Sequence, residues 1–328
     1  MSEKLLELKD LSIRYTTDKI ISRAVNHVNL SLEKGEVLGL VGETGAGKTT
    51  TALSILGLLP KYTSQVEGEI LFEGENLVGA SEKKLRVIRG QKISMIFQDP
   101  MTSLNPVYKV GDQIGDVIRF HNPEMSKKEI SDRVDSILNM VGIPAARKNE
   151  YPHQFSGGMK QRVMIAIAIA CDPELLIADE PTTALDVTIQ AQVIKMMRNL
   201  QQELGSSVIL ITHDLGIVAN FCDKVAIMYG GEIVESGTLE DVFDKSRAHH
   251  PYTDGLFGSL PNITERTDRL TPITGLTPHP SELPEGCKFH PRCPKCMEVC
   301  CGGENPAQHV QGSHMIQCHL FDKEEASL

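Results

Sequence analysis

The chain has 328 residues, with 33 Lys and Arg against 43 Asp and Glu, a formal charge of −10 at pH 7. That balance argues against a nucleic-acid binder, because phosphate backbones are held mainly by clustered cations, although it leaves room for a local basic patch. With 41% hydrophobic and 23% charged residues the composition is globular, neither disordered nor fibrous, and the length suits roughly two domains. No apolar run reaches the roughly 18 residues needed to span a bilayer. The best one, residues 163–178, is broken by Asp172 and Pro173. The opening MSEKLLELKD has no apolar signal segment, so a cytosolic chain is expected. The eight cysteines of such a chain should be thiols or metal ligands, not disulfides.

Residues 1–40 read as short strands. Leu5, Leu6, Leu8, Leu11 and Ile13 mix alternation with a run, and Val28, Leu30 and Leu32 alternate cleanly. Residues 37–41 form a short buried strand that enters a glycine-rich turn, followed by a helix over 49–59 stopped at Pro60. Another strand lies at 93–97. From about 99 to 170 the pattern is mostly helical, over 110–120, 127–141 and 158–170, punctuated by Pro100, Pro106, Pro123, Pro144 and Pro152. Buried strands return at 175–178 and 208–212 around a helix at 188–204. Strands alternating with helices predict a parallel sheet with helices on both faces, and the inserted helical stretch a subdomain. Beyond about Gly237 the prolines 251, 261, 272, 278, 280 and 284 mark a loop-rich segment, predicted as a small C-terminal domain with little regular structure.

Gly42-Glu43-Thr44-Gly45-Ala46-Gly47-Lys48-Thr49 matches G-x4-G-K-[ST] between a strand and a helix, the context this motif requires. Its glycines let backbone N–H groups turn inward around phosphate oxygens, and the helix N-terminus adds a favourable field. Lys48 would reach the β- and γ-phosphates, Thr49 would offer its hydroxyl to Mg²⁺, and Thr50 follows in the same turn. The plain alternative is a glycine turn that caps a helix. A second buried strand ends in Asp179-Glu180. Asp179 suits the Mg²⁺ shell, and Glu180 suits the general base or the group that orients an attacking water. Taken alone, two acids after a strand also describe a solvated loop. A third strand leads into His213, either a donor to the γ-phosphate or a structural histidine.

Phe155-Ser156-Gly157-Gly158-Met159 resembles the signature loop of ATP-binding cassette (ABC) ATPases, usually L-S-G-G-Q, with Phe155 and Met159 as departures. That resemblance, over about residues 5–240, implies an α/β P-loop NTPase (RecA-like) core at 1–98 and 171–236. It also implies an N-terminal antiparallel β subdomain, a helical signature subdomain at 99–170 and a C-terminal extension at 237–328. It implies that the loop Ser156, Gly157 and Gly158 acts across a dimer on ATP held by the partner's phosphate loop. Gln98 then looks like the glutamine that senses Mg²⁺ and the membrane partner, Thr183-Ala184-Leu185-Asp186 like the D-loop, His213 like the switch histidine, and Tyr15 like the aromatic that stacks on adenine. The alternative for Tyr15 is a strand tyrosine packing on the core, since strands favour aromatics. The stretches from Gln98 to Pro106 and from Ala178 to Gln192, with His250-Pro251-Tyr252-Thr253, resemble the ATPase subunits of dipeptide and oligopeptide importers, the D-type subunits with a C-terminal cysteine motif. The partners this implies are a second related ATPase subunit, two transmembrane permeases and an extracytoplasmic solute-binding protein, with the ATPase at the cytoplasmic face of the membrane. Nickel and glutathione importers belong to the same group. A soluble ABC ATPase of repair or translation is the reading from another class; the single cassette and the absence of sustained heptads disfavour it.

Cys287, Cys293, Cys300 and Cys318 supply four thiols from the loop-rich segment, with Cys296 and Cys301 spare. Four thiolates suit tetrahedral zinc or an iron–sulfur cluster. The spacing resembles the C-terminal motif of peptide-importer ATPases, some of which carry a [4Fe–4S] cluster, so that cluster is expected, with zinc or metal-free thiols as alternatives.

Overall fold

The computed structural model describes residues 3–98, 103–183, 185–259 and 272–322. The chain forms two compact units. One holds residues 1–5, 32–37 and 79–211; the other holds 6–31, 38–78 and 212–328. Among the described residues no helix is long and apolar enough to cross a membrane.

In the first unit the strands Ile93–Ile96, Leu175–Asp179 and Ser207–Thr212 run parallel, with Ile93 opposite Leu175 and Ile177 opposite Ile209. Every residue of the three is buried, which is why they read as mostly apolar runs, with Ser94 inside one and Asp179, Ser207 and Thr212 at strand ends, and not as alternating strands. The three helices expected between the first two strands are present as Val110–His121, Lys127–Met140 and Gly157–Ala168. The middle one opens on a capping box: the Ser126 hydroxyl accepts from Glu129 N–H, and Glu129 Oε2 accepts from Ser126 N–H at 2.7 Å. Buried Ile114, Ile118, Val134, Ile137 and Leu138 supply the apolar faces of this helical insert. The long helix Val187–Leu204 ends on Gly205 at φ +66°, the left-handed stop that glycine adopts without strain.

The second unit contains the antiparallel β subdomain. The strands Lys4–Thr17, Ile20–Glu33, Ser64–Phe72 and Glu75–Asn76 form a four-stranded sheet in which Lys4–Thr17 lies between Ile20–Glu33 and Ser64–Phe72. The first two strands are 14 residues each, longer than expected. A register shift between Lys9 and Ser12 reconciles the irregular apolar spacing of the first with one continuous ladder. A further ladder starts with Val37–Val41, parallel to Lys224–Tyr229. It continues antiparallel through Glu232–Thr238, His314–Gln317 and Gln308–Gln311. The C-terminal segment therefore carries more regular structure than its prolines suggest: a helix at Pro251–Gly258 and a hairpin that extends this ladder. Strands of four residues have little pattern of their own, and this hairpin is held by pairing Glu235 with Ile316 and Ser236 with Met315. Pro261 and its neighbours lie outside the described residues.

A buried polar knot fastens this extension. Glu235, fully buried, accepts His249 Nδ1 at 2.7 Å and His314 Nε2 at 2.9 Å on Oε1, and His250 N–H at 2.9 Å on Oε2. His249 Nε2 meets the Asp244 carbonyl at 2.9 Å, so both its ring nitrogens face acceptors and the imidazolium form satisfies both. Burial would raise Glu235, but hydrogen bonds from the two histidines outweigh it and hold the carboxyl down at about 2. Burial pushes His250 down to about 4, in keeping with its Nδ1 accepting from Tyr252 N–H. Burial also lifts Glu232 up to about 7.

These shifts predict an acid limit with a defined shape. His250 is neutral in the fold at pH values where its unfolded form is charged, so its contribution falls as pH drops from 6.5 toward 4. Glu232 acts in the opposite direction, gaining stability for the fold as pH drops from 7 to 4.5. The two offset each other, and net loss should set in below 4.5, where Glu235 begins to lose its contribution as pH falls toward 2. Denaturant midpoints across pH 4–8 check this. In Glu232→Gln the decline should start near pH 6.5; an unchanged profile in that variant would contradict the assignment.

Candidate functional site

The glycine turn between Val37–Val41 and the helix Lys48–Ile55 folds as a phosphate loop. Gly47 sits at φ +105°, and a Cβ there would lie 2.3 Å from the Ala24 carbonyl oxygen, so both backbone angle and space demand glycine. A Cβ on Gly42 would lie 2.2 Å from Met228 O. Lys48 is buried, and its Nζ donates to the carbonyls of Gly42 at 2.6 Å and Glu43 at 2.9 Å. Thr44, Gly45 and Thr49 are exposed, Ala46 is buried and Thr50 half-buried.

The loop is also held from far along the chain, by contacts that sequence reasoning missed. Arg292 grips Glu43 as a two-pronged fork, Nη1 to Oε2 at 2.6 Å and Nη2 to Oε1 at 3.0 Å. Thr277 Oγ1 donates to the same Oε2 at 2.7 Å, and Glu43 N–H donates to the Tyr252 hydroxyl at 3.0 Å. Burial would raise the Glu43 carboxyl, but the bonds from Arg292 and Thr277 hold it below the usual range. Arg292 and Glu43 are 249 positions apart, and no local pattern marks the arginine. The only pointer was His250-Pro251-Tyr252, noticed through resemblance and not through any contact.

In the first unit the acidic strand end is organised around Glu180. Gln98 Nε2 and Thr183 Oγ1 both donate to Glu180 Oε2 at 2.9 Å, which fixes the carboxylate's orientation. Glu180 adopts φ +45°, an uncommon region for a non-glycine residue and one that recurs at functional sites. Asp179, one residue earlier, is buried. Thr183 was read only as part of the D-loop; its bond to Glu180 needs the turn that brings position 183 back onto 180. Asp186 from the same loop caps the helix Val187–Leu204 through Ile189 N–H at 3.0 Å. Ala184 and residues 99–102, which carry part of the D-loop and of the stretch after Gln98, lie outside the described residues.

Ser156 and Gly157 are exposed at the N-terminus of the helix Gly157–Ala168, anchored by buried Phe155 under the Arg147 guanidinium at 4.5 Å from the ring centroid. Gly158 approaches the next helix so closely that a Cβ would meet Ile189 Cγ2 at 2.6 Å. His213 is exposed just after its strand, and Tyr15, half-buried, pairs with Ser64.

The terminal cysteines divide by burial. Cys287, Cys300 and Cys318 are buried and Cys293 half-buried, whereas Cys296 and Cys301 are exposed; none of them is in a disulfide. Burial pushes the Cys287 thiol up to about 12, and the nearby Cys318, Cys300 and Cys293 add to it.

The ABC transporter family matches residues 25–183, and the family described as the oligopeptide/dipeptide transporter C-terminal region matches residues 234–300. The dipeptide transport ATP-binding protein DppD of Bacillus subtilis is 49% identical over 325 residues, 98% of this chain and 96% of that protein. This chain belongs to the ATP-binding subunits of dipeptide and oligopeptide ABC importers. The importer subunits OppD of B. subtilis and DppD of Lactococcus lactis are 48% and 47% identical, each over 322 residues. They cover 97% and 98% of this chain and 89% and 92% of their own lengths. The cassette MJ0796, solved as a dimer in a post-hydrolysis state with ADP and Pi, superposes with a TM-score of 0.64 at 30% identity, over 71% of this chain and 98% of that one. The importer subunit is thus an ABC-type P-loop ATPase that couples ATP hydrolysis to peptide transport, working with transmembrane permeases and a substrate-binding protein.

Proposed function

We propose that this importer subunit works at the cytoplasmic face of the membrane beside a second, related ATPase subunit, and that each ATP is held between the phosphate loop of one subunit and the Ser156-Gly157-Gly158 loop of the other. The observation that carries the catalytic part is the Glu180 carboxylate held by Gln98 and Thr183. In-line attack on a phosphoryl group needs positioning and charge neutralisation more than covalent chemistry. Glu180 orients the water and takes its proton, Gln98 reports the state of the site to the permeases, and His213 donates to the γ-phosphate. Lys48 and the amides of 44–50 hold the phosphates, and Tyr15 stacks on adenine. Asp186 faces the nucleotide through its loop while its carboxylate caps a helix. The Thr49 hydroxyl, the buried Asp179 carboxylate and the Gln98 amide are the oxygen donors that suit Mg²⁺, which when bound neutralises charge on the β- and γ-oxygens. The cargo is tested by uptake: with the permeases and binding protein co-expressed, labelled dipeptide should enter and Lys48→Ala should stop it. Competition by nickel or glutathione but not by peptides would reassign the cargo.

Cys287, Cys293, Cys300 and Cys318 are proposed to hold a [4Fe–4S] cluster. Three of these thiols are buried together in a segment whose own core is small, Ile316, Cys318 and Phe321 with Leu320. A bound cluster would staple this segment. Protein purified without oxygen should be brown, with about four iron and four sulfide per chain, and iron chelation should lower its melting temperature. Colourless protein with stoichiometric zinc would move the assignment to zinc.

A further inference from the structure

We infer that Arg292 is a positioning residue of the ATP site, one that neutralises and immobilises Glu43 so that the cysteine-bearing segment sets the subunit's affinity for nucleotide. This rests on the assignment of residues 42–49 as the nucleotide loop. A carboxylate at the second position of a loop that must accept a triphosphate is electrostatically misplaced, because like charges at close range repel. Arg292 removes the conflict with its fork onto both carboxylate oxygens, from a site only 9% exposed. The arginine is itself fixed. Its Nε donates to Thr274 O at 3.1 Å, Nη1 reaches the Tyr229 hydroxyl at 3.3 Å, and the guanidinium lies over the Tyr229 ring at 5.7 Å.

The mounting of Arg292 is built from the cysteine framework. Arg292 closes the single turn His290–Arg292, whose ends are tied by His290 N–H to Cys287 O at 3.1 Å and Cys293 N–H to His290 O at 3.2 Å. Phe289, one turn earlier, is buried against Tyr229 and Tyr252, with ring centroids 5.1 and 5.3 Å apart. Tyr252 in turn accepts the Glu43 amide. The side chain and the backbone of Glu43 are thus both held by the C-terminal extension. A loop held in advance spares the nucleotide the entropy of ordering it.

The test uses the full chain, with the affinity for a fluorescent ATP analogue and steady-state phosphate release as readouts. Arg292→Gln should raise Kd and the KM for ATP roughly tenfold, with kcat within about threefold of wild type. Adding Glu43→Gln to that variant should restore affinity to within about threefold, because no charge is left to neutralise. A purely structural arginine would lower the melting temperature without splitting KM from kcat, and the second substitution would not rescue it. Wild-type affinity in Arg292→Gln, or a double variant no better than the single, overturns the inference. Should Arg292→Gln not fold, Arg292→Met takes its place: it keeps an aliphatic stem beside Tyr229 and removes the charge. A KM raised several-fold in that variant and recovered by Glu43→Gln supports the role, and an unchanged KM removes it. Lys48→Ala is the control for the loop assignment. Undiminished affinity there overturns that assignment and the inference with it, whereas loss there beside wild-type affinity in the Arg292 variants overturns the inference alone.

Discussion

Glu180→Gln should cut ATP turnover by roughly 10²–10⁴-fold while nucleotide still binds, the range expected when a positioned general base is removed. The structure makes this substitution unusually clean. Gln98 Nε2 and Thr183 Oγ1 both donate to Glu180 Oε2. An amide oxygen can accept the same two bonds, so the side chain keeps its place and loses only its basicity. Phosphate release at saturating ATP would then collapse without a matching rise in Kd, and an ATP-bound dimer should accumulate in size-exclusion profiles with Mg²⁺. Turnover within about threefold of wild type would strip Glu180 of the role of base, given the size of effect such groups carry. Thr183→Val offers a graded companion: it removes the Thr183 bond to the carboxylate and should lower kcat by a smaller factor than Glu180→Gln.

Glu235→Ala should destabilise the chain by about 3–5 kcal/mol, the cost of breaking a buried ion pair by removing one partner. The His249 imidazolium would lose its carboxylate inside the fold, and His314 and the His250 amide would lose their acceptor. At roughly 2–4 °C per kcal/mol for a unit of this size, the melting temperature should drop by about 10 °C. A second variant separates charge from packing. Changing Glu235 and His249 together to Leu should cost less than Glu235→Ala alone, because no orphaned charge remains. A double variant as damaged as the sum of its singles would mean that the knot is held by shape and not by charge. The same three groups offer oxygen and nitrogen atoms within 4.8 Å of one another. The hydrogen bonds already account for their arrangement, since His249 faces an acceptor on each ring nitrogen.

Much of the fold can be read along the chain, and for one reason: the decisive signals are local. A strand buried on both faces is apolar along its body, as residues 175–178 are ahead of Asp179, and needs no knowledge of its neighbours to be recognised. A capped amphipathic helix such as Lys127–Met140 carries its start in Ser126 and Glu129. The phosphate loop is legible because glycine is required where the backbone turns left-handed or passes close to other backbone, as at Gly47. The strands Lys224–Tyr229 and Glu232–Thr238 and the final hairpin were not legible. Each pairs locally, Glu232 with Tyr229 and Gln311 with His314, but the ladder that joins the two hairpins pairs Glu235 with Ile316 far along the chain, and the short terminal strands show no two-residue alternation long enough to detect.

What the sequence determined by itself was the chemistry available: a loop shaped for phosphate, carboxylates at a strand end, an exposed serine–glycine turn and a set of thiols near the C-terminus. Each depends on residue types within one short stretch, where covalent spacing alone limits geometry. Only the tertiary structure decided how those groups are held. Glu43 and Arg292 meet across 249 positions, Gln98 and Thr183 converge on one oxygen of Glu180, and Glu235 gathers two histidines from separate segments. Charge pairing and hydrogen bonding depend on distance in space, and distance in space is set by which core buries which face. No periodicity along the chain encodes that.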